Sequence, residues 1–254
     1  LALLQLRGHL AQSEVSPDLA EQGRETGRSP LMPKVDTYVI NLDSRQDRCN
    51  CMALQLRDAP QAVYRQAAVA GSECPDLQAD KHSFYGDHDH VREKSLFCSN
   101  YKIWQHANSS EADFIIVMED DVVLQPSFWN TTYDFLMACP HFDYVTMDSW
   151  KESSQQMDAV DICHASLFRP AKMRPVSGYW GSQVQVVRIT FLNTLIQRAK
   201  IYGMGPLDVW WQMHVNDGRA FSWQPGIAPQ AGRQKGGLPR GCSNEIARSD
   251  ISPK

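Results

Sequence analysis

Short apolar runs bounded by polar residues recur along the chain and predict the strands of a sheet. The strongest run, Phe-Ile-Ile-Val-Met, covers residues 114–118, and weaker runs cover 38–42, 63–69, 144–147 and 184–187. Runs of this length that are rich in β-branched residues are typical of strands buried on both faces.

Segments between these runs carry apolar residues at helical spacing. They predict helices over residues 45–58, 92–107, 127–138, 189–202 and 209–216, and the polar stretch 72–91 predicts a loop. Strands that alternate with helices indicate an α/β fold, in which helices cover both faces of a central sheet. Ligands of such sheets bind beyond the carboxyl ends of the strands.

The first 34 residues differ from the rest of the chain. They are dominated by Ser, Glu, Gln, Gly, Arg and Pro, which predicts a poorly ordered leader or linker over 1–34 and a folded domain over 35–254. The apolar residues 1–6 are followed by Arg7, far short of the roughly 20 apolar residues that span a bilayer. We therefore expect no membrane span in this chain.

Composition narrows the classes of partner. The net charge of −4 provides no basic surface, so we expect no nucleic-acid binding. The seven cysteines form no C-x-x-C pair, which disfavours a zinc ribbon, and their odd number leaves at least one thiol unpaired. The glycosylation triplets Asn108-Ser109-Ser110 and Asn130-Thr131-Thr132 predict the secretory pathway, the ER or Golgi lumen, for a eukaryotic source. For any other source we expect the cytoplasm.

Three consecutive carboxylates, Glu119, Asp120 and Asp121, end the strongest strand. Carboxylates this close repel one another unless a cation neutralises them, and Mg²⁺ or Mn²⁺ binds through few carboxylates plus substrate phosphates. In extended chain Glu119 and Asp121 point to one side as metal ligands, while Asp120 points away and holds a ribose or a nearby amide. Two other interpretations remain: a solvated acidic turn that caps the next helix, and a simple calcium site without nucleotide affinity.

Several short motifs between residues 35 and 252 follow one another in the order of a known family. They are Tyr38-Val39-Ile40-Asn41-Leu42-Asp43 with Arg45 and Arg48, Ala70-Gly71, Ser99 with Trp104, Met118-Glu119-Asp120-Asp121, Pro206-Leu207-Asp208, Pro229-Gln230 and Ser249-Asp250-Ile251. The ordered set resembles glycosyltransferase family 25, which includes lipooligosaccharide and procollagen galactosyltransferases.

The resemblance implies a glycosyltransferase-A type, nucleotide-sugar-binding fold with a mixed central sheet flanked by helices. It also implies Mn²⁺ (or Mg²⁺) and a UDP-sugar donor, from which a hexose, galactose or glucose, passes with inversion to a hydroxyl of a glycan or protein. The donor site would include Asn41, Arg45, Arg48, Ser99 and Asp120, with Glu119 and Asp121 on the metal. A turn asparagine and solvated helix arginines explain the first three residues equally well.

Inverting transfer needs a general base near the acceptor hydroxyl, and Asp208 is the candidate. It follows a Gly- and Pro-containing stretch and precedes Trp210 and Trp211, whose faces suit a sugar ring. A metal ligand and an N-cap of helix 209–216 are the alternative roles of Asp208.

The chain departs from the family pattern in two places. Ser95 and Leu96 replace a Gly-Cys pair, Asn100 replaces a frequent His, and residues 183–191 lack an expected Tyr and Ala. These departures keep open a second function, a non-catalytic glycosyltransferase-like module that binds sugars or partners without turnover.

Overall fold

A computed structural model describes residues 32–80, 90–139, 141–147, 150–151, 170–172, 179–215, 219–223, 228 and 242. Most of the predicted leader and the motifs Pro229-Gln230 and Ser249-Asp250-Ile251 lie outside the described residues. Within the described part, no helix is long and apolar enough to cross a membrane.

The described residues form nine strands, five α-helices and one 3-10 turn. The strands are β1 (Val35–Asn41), β2 (Val63–Ala67), β3 (Phe114–Glu119), β4 (Tyr144–Thr146), β5 (Trp150–Lys151), β6 (Pro170–Lys172), β7 (Tyr179–Trp180), β8 (Val184–Arg188) and β9 (Ala220–Trp223). The helices are α1 (Gln46–Gln55), α2 (Val91–Ala107), α3 (Phe128–Ala138), α4 (Ile189–Tyr202) and α5 (Leu207–His214), and the 3-10 turn is Gly71–Glu73.

Seven of these strands form one mixed sheet in the order β2-β1-β3-β8-β4-β9-β6. Strand β1 pairs in parallel with β2 and β3, and β4 pairs in parallel with β9, whereas β8 is antiparallel to both β3 and β4. The predicted α/β fold with a mixed central sheet is therefore confirmed. The strands β1, β2, β3, β4 and β9 all end at the same edge of the sheet, where β8 starts. We call this edge the carboxyl edge.

Helices cover both faces of the sheet, which explains the unbroken apolar run of β3. Ile115 and Val117 face a core cluster built with α2, α4 and α5. Ile116 and Met118 face a second cluster built with α1 and α3. A strand buried on both faces needs apolar residues at every position.

The first face is filled by what we call the aromatic cluster, namely Phe97, Trp104, Tyr144, Trp210 and Trp211. All five side chains are fully buried. The rings of Tyr144 and Trp211 stack with centroids 3.7 Å apart, and Phe97 meets Trp210 edge to face at 5.0 Å. The cluster fixes α5 against α2 and the centre of the sheet.

Several predicted boundaries were wrong. Helix α5 begins at Leu207, not at residue 209, because Pro206 supplies the N-cap with a fixed backbone angle. Strand β2 ends at Ala67, before the predicted residue 69, and the N–H of Val69 donates instead to the Ser99 hydroxyl. Strands β5, β6, β7 and β9 were not predicted, since they have only two to four residues each.

Gly203 ends α4, as predicted, in a conformation that glycine alone adopts readily. Its φ is +90°, and a Cβ atom there would lie 2.4 Å from the carbonyl oxygen of Gln78. This close approach allows Met204 to donate its N–H to Gln78 (2.6 Å) and to accept one from Asp80 (2.7 Å). The segment that leads to Asp208 is thereby held in place.

Disulfides join distant parts of the chain. Cys51 on α1 is bonded to Cys242, and Cys74 is bonded to Cys98 on α2. Cys139 is also disulfide-bonded, whereas Cys49 is a free thiol. The free thiol agrees with the odd cysteine count.

Candidate functional site

The acidic residues lie at the carboxyl edge of the sheet, where ligands of α/β proteins bind. Strand β3 ends at Glu119, whose N–H donates to the carbonyl of Gln183 just before β8 (2.8 Å). Asp120 and Asp121 follow in a turn and are both buried. Because β1 pairs with β3, the end of β1 at Asn41 lies beside this turn.

Asp120 is the centre of a buried polar network that spans three elements. Its Oδ1 accepts a hydrogen bond from Arg48 Nη1 on α1 (2.9 Å), and its Oδ2 accepts one from Asn41 Nδ2 at the end of β1 (2.6 Å). The expectation that Asp120 holds a nearby amide is thus met by Asn41. The network joins the first helix to the acidic turn.

The alternation expected of Glu119, Asp120 and Asp121 does not continue past the end of β3. Arg48 Nη1 lies 2.9 Å from Asp120 and 3.8 Å from Asp121 Oδ2, so both adjacent aspartates face the same guanidinium. The period of two applies only to extended chain, and Asp120 and Asp121 lie in a turn. The side chains of Arg48, Asp120 and Asp121 are only 7%, 7% and 9% exposed, so each charge depends on its partners.

The side chain of Asn41 makes three hydrogen bonds within the protein. Its Nδ2 donates to Asp120 and to the backbone carbonyl of Arg45 (3.1 Å), which uses both amide hydrogens. Its Oδ1 accepts from Arg65 Nε (2.9 Å). In this arrangement Asn41 positions charged neighbours, and direct contact with a nucleotide stays a prediction.

Arg45 forms a two-point ion pair with Asp47 at the start of α1. Its Nε and Nη2 donate to the two carboxylate oxygens at 3.0 and 2.8 Å. These hydrogen bonds lower the pKa of Asp47 to about 2. The predicted contact of Arg45 with the donor stays a prediction.

Arg65 on β2 belongs to the same site and was missed by the sequence reasoning. Besides its bond to Asn41 Oδ1, its Nη2 donates to the Asn41 carbonyl (3.4 Å) and forms an ion pair with Asp43. A signal was present, because a charged residue in the middle of a predicted strand needs a partner. That partner lies on β1, and pairing of β1 with β2 was not predicted.

Ser99 is buried on α2, where its side chain contacts the segment that follows β2. Its hydroxyl accepts from the N–H of Val69 (3.0 Å) and donates to the carbonyl of Ser95 (2.8 Å). Close packing against α2 also explains the glycine of the Ala70-Gly71 motif, since a Cβ atom on Gly71 would lie 2.7 Å from Lys94 Cβ. These contacts bring α2 close to the edge, while cofactor binding by Ser99 stays a prediction.

The two departures from the family pattern contact each other. Gln185 on β8 donates to Asn100 Oδ1 (3.2 Å) and to the carbonyl of Ser182 (2.9 Å), and its Oε1 accepts from Trp211 Nε1 (3.1 Å). Asn100 and Gln185 are both buried and hydrogen-bonded. The departures therefore form a satisfied polar pair that fixes the strand start beside Glu119.

Asp208 lies in the first turn of α5, on the face of the sheet opposite the Asp120 network. Its Oδ1 accepts a hydrogen bond from the N–H of Val209 (2.9 Å). Trp210 and Trp211 are buried in the aromatic cluster, so the expectation that they offer their faces to a sugar was wrong. The role of Asp208 as a base stays a prediction that rests on the motif alone.

The carboxylates at this edge fit a hard divalent cation only in part. Among the described residues, no group of three or more His, Cys, Asp or Glu side chains is arranged to hold a metal ion. Glu119 and Asp121 offer two carboxylates, and Mg²⁺ or Mn²⁺ commonly takes its other ligands from phosphates and water. These two carboxylates do not complete a metal site by themselves, so a metal bound here would need further ligands from a phosphate or from water.

Three solved structures are similar to the chain at low identity and with TM-scores below 0.5. They include a glycosyltransferase involved in the glycosylation of the major capsid of PBCV-1, at 9% identity over 75% of this chain and 81% of that chain, with a TM-score of 0.42. Mouse xyloside xylosyltransferase 1 in its apo form matches at 14% identity over 71% and 67%, with a TM-score of 0.37. A 4-diphosphocytidyl-2C-methyl-D-erythritol synthase from Anaerococcus prevotii matches at 7% over 77% and 91%, with a TM-score of 0.38.

The sequence itself matches one family model. No curated protein matches the chain significantly. The model of glycosyltransferase family 25, described as LPS biosynthesis proteins, matches residues 34–188, which include β1, the Asp120 network and β8. The predicted family is thereby confirmed, while the motifs after residue 188, including Pro206-Leu207-Asp208, lie outside the matched region. The chain belongs to glycosyltransferase family 25.

Proposed function

We propose that the chain is a hexosyltransferase that moves galactose or glucose from a UDP-sugar donor to a hydroxyl of a glycan or protein, with inversion. The observation that carries the proposal is the acidic turn at the carboxyl edge, where Glu119 ends β3 and Asp120 and Asp121 are buried against Arg48. A glycosyltransferase of this family has both a donor and an acceptor to bind.

The charges at this edge support a metal-dependent donor. The three arginines at this edge already pair with four carboxylates, Asp43, Asp47, Asp120 and Asp121. Glu119, at the end of β3, adds a fifth negative charge nearby. A diphosphate adds further negative charge and needs a compensating cation. Glu119 and Asp121 would hold Mn²⁺ or Mg²⁺, which neutralises charge on a leaving diphosphate when bound.

The other residues have separate roles in this proposal. Asp120 orients Arg48 and Asn41 through its two oxygens, and so fixes the acidic turn. Asp208, in the first turn of α5, accepts or orients the proton of the acceptor hydroxyl.

Calorimetric titration of UDP with Mn²⁺, and then with EDTA, tests the donor site. We expect binding that requires the metal and is lost in Asp121→Ala. Asp134→Ala is the matched control, because Asp134 is exposed on α3 away from the acidic turn. Equal UDP affinity of Asp121→Ala and the wild-type protein would overturn the site assignment.

Turnover separates an enzyme from a binding module. Release of UDP from UDP-galactose or UDP-glucose should require Mn²⁺ and an acceptor, and the anomeric configuration of the product reports inversion. We expect Asp208→Asn to lower kcat by about 10²–10⁴ with UDP affinity unchanged. UDP binding without transfer to any acceptor would favour the non-catalytic module.

We also propose that, in a eukaryotic source, the protein resides in the ER or Golgi lumen. Two disulfides in the described chain, Cys51–Cys242 and Cys74–Cys98, are typical of oxidising compartments. Asn108 of the first glycosylation triplet is exposed in the turn after α2. Secretory expression followed by N-glycosidase digestion should shift the mobility of the wild-type protein but not of a variant with Asn108→Gln and Asn130→Gln.

A further inference from the structure

The three arginines at the carboxyl edge differ in how much of each guanidinium the protein already uses. Arg48 is buried against Asp120 and Asp121. Arg45 is bound at two points by Asp47 and has a 15% exposed side chain. Arg65 is the most open of the three, with a 25% exposed side chain.

Arg65 is nevertheless held in a defined position. Its Nε donates to Asn41 Oδ1 (2.9 Å), and Asn41 is itself fixed by Asp120 Oδ2 (2.6 Å). Arg65 Nη2 also donates to the Asn41 carbonyl oxygen (3.4 Å). A guanidinium that is anchored in this way loses little side-chain entropy when its remaining N–H groups bind a ligand. Arg65 is therefore pre-organised at the end of β1.

One nitrogen of Arg65 is unused within the described residues, and a second is paired with an exposed carboxylate. Its Nη1 makes no hydrogen bond to any residue in the described part of the chain, and its Nη2 pairs with Asp43. The Asp43 side chain is 81% exposed. Exposed ion pairs contribute little free energy, so an incoming anion readily replaces Asp43.

We propose that Arg65 binds a phosphate of the nucleotide-diphosphate donor, and that Asp43 occupies this position while the donor is absent. Asn41 acts in this proposal as the positioning residue that fixes Arg65. A planar guanidinium with two free donors suits phosphate oxygens, which it binds through charge-assisted, often two-point hydrogen bonds. The inference rests on the proposed UDP-sugar donor and adds a binding residue to it.

Calorimetry with UDP and Mn²⁺ tests the inference in the full chain. Arg65→Gln keeps an amide donor for Asn41 but removes the charge, and we expect UDP affinity to fall about tenfold or more. Arg57→Gln is the matched control, because Arg57 pairs with an 80% exposed Asp58 outside the site, and its UDP affinity should be unchanged. Competition by uridine should be equal in Arg65→Gln and wild type, since uridine has no phosphate.

A second variant changes affinity in the opposite direction. Asp43→Asn removes the competing anion and leaves the anchor on Asn41 intact, so we expect UDP to bind severalfold more tightly. Misfolding does not produce tighter binding, and the Tm of each variant checks the fold.

Unchanged UDP affinity in both Arg65→Gln and Asp43→Asn would overturn the inference and leave the proposed function standing. An equal loss of uridine affinity in Arg65→Gln would also overturn it, because the contact would then be to the nucleoside. Absence of UDP binding by the wild-type protein would overturn the proposed function and the inference together.

Discussion

The two faces of the sheet approach the carboxyl edge with opposite chemistry. On the α1 side, Arg48, Asp120 and Asp121 are buried charges held by directional contacts at 2.6–3.8 Å. On the α2 and α5 side, the aromatic cluster fills the space with buried rings. Trp210 Nε1 and Trp211 Nε1 donate hydrogen bonds, whereas Trp104 Nε1 is buried without a hydrogen-bond partner in the described part of the chain. The first arrangement orients groups for a ligand, and the second fixes the elements that carry it.

The difference matters for what a substitution does. Removal of a ring leaves a cavity that the packed surroundings fill only in part. Removal of one buried charge leaves its buried partners without a compensating charge. The aromatic cluster should therefore respond through volume, and the Asp120 network should respond through charge balance.

Trp211→Ala should have the largest effect on stability. Trp211 is fully buried, stacks on Tyr144 and donates to Gln185. We expect a loss of about 3–5 kcal/mol in the free energy of unfolding, measured by urea denaturation. Met213→Ala on the same helix is the control, since Met213 is exposed and its change should stay within about 0.5 kcal/mol. Similar losses in the two variants would contradict the central position of Trp211.

Arg48→Met tests the charged side and should cost about 3 kcal/mol, because Asp120 and Asp121 lose their common partner. The second variant, Asp120→Asn in the Arg48→Met background, removes one of the two facing carboxylates. It should recover part of the lost free energy of unfolding in the same urea experiment. If Asp120→Asn adds a further loss, packing and not charge balance dominates at Arg48.

Gly203→Ala tests the backbone on the aromatic side. The φ of +90° and the 2.4 Å approach of a Cβ atom to Gln78 predict a loss of about 1–3 kcal/mol. Ile201→Ala is the control near the same helix end, since Ile201 is 72% exposed. Thermal unfolding of both variants checks the prediction, and an unchanged Tm in Gly203→Ala would contradict it.

Much of the fold was predictable because the spacing of apolar residues along the chain indicates which side of a helix or strand is buried. The run 114–118 predicted β3, and the helical spacing before Gly203 predicted α4 with its correct end. Short strands such as β9 carry too few residues for a period to emerge. The predicted exposure of Trp210 and Trp211 was wrong because sequence adjacency to Asp208 does not reveal which core the rings enter.

The site was predictable where residues follow strands, and not where contacts cross between strands. Asn41 and Asp120 each come at the end of a predicted strand, and their 2.6 Å contact follows from pairing of β1 with β3. Arg65 required knowledge that β2 also pairs with β1. Strand order depends on long-range packing, so no local pattern around Arg65 identified its partner.

The smallest expected effect on stability concerns the ion pair between Arg45 and Asp47 at the start of α1. Hydrogen bonds from Arg45 lower the pKa of Asp47 from its ordinary value of 3.8 to about 2. A carboxyl whose pKa is depressed by folding stabilises the protein above its ordinary pKa, and this contribution is lost as pH falls towards 2. Because the pair is partly exposed, Arg45→Gln should cost under about 1 kcal/mol at pH 7.

The pKa of Asp47, followed by carboxyl-carbon NMR titration, should return towards 3.8 in Arg45→Gln. An unchanged pKa of Asp47 in this variant would show that groups other than Arg45 lower it. Titration of UDP into the same variant gives an independent result. A higher Kd for UDP would show that Arg45 contacts the donor in addition to pairing with Asp47. An unchanged Kd would limit Arg45 to the pair and leave Arg65 as the arginine that meets the donor.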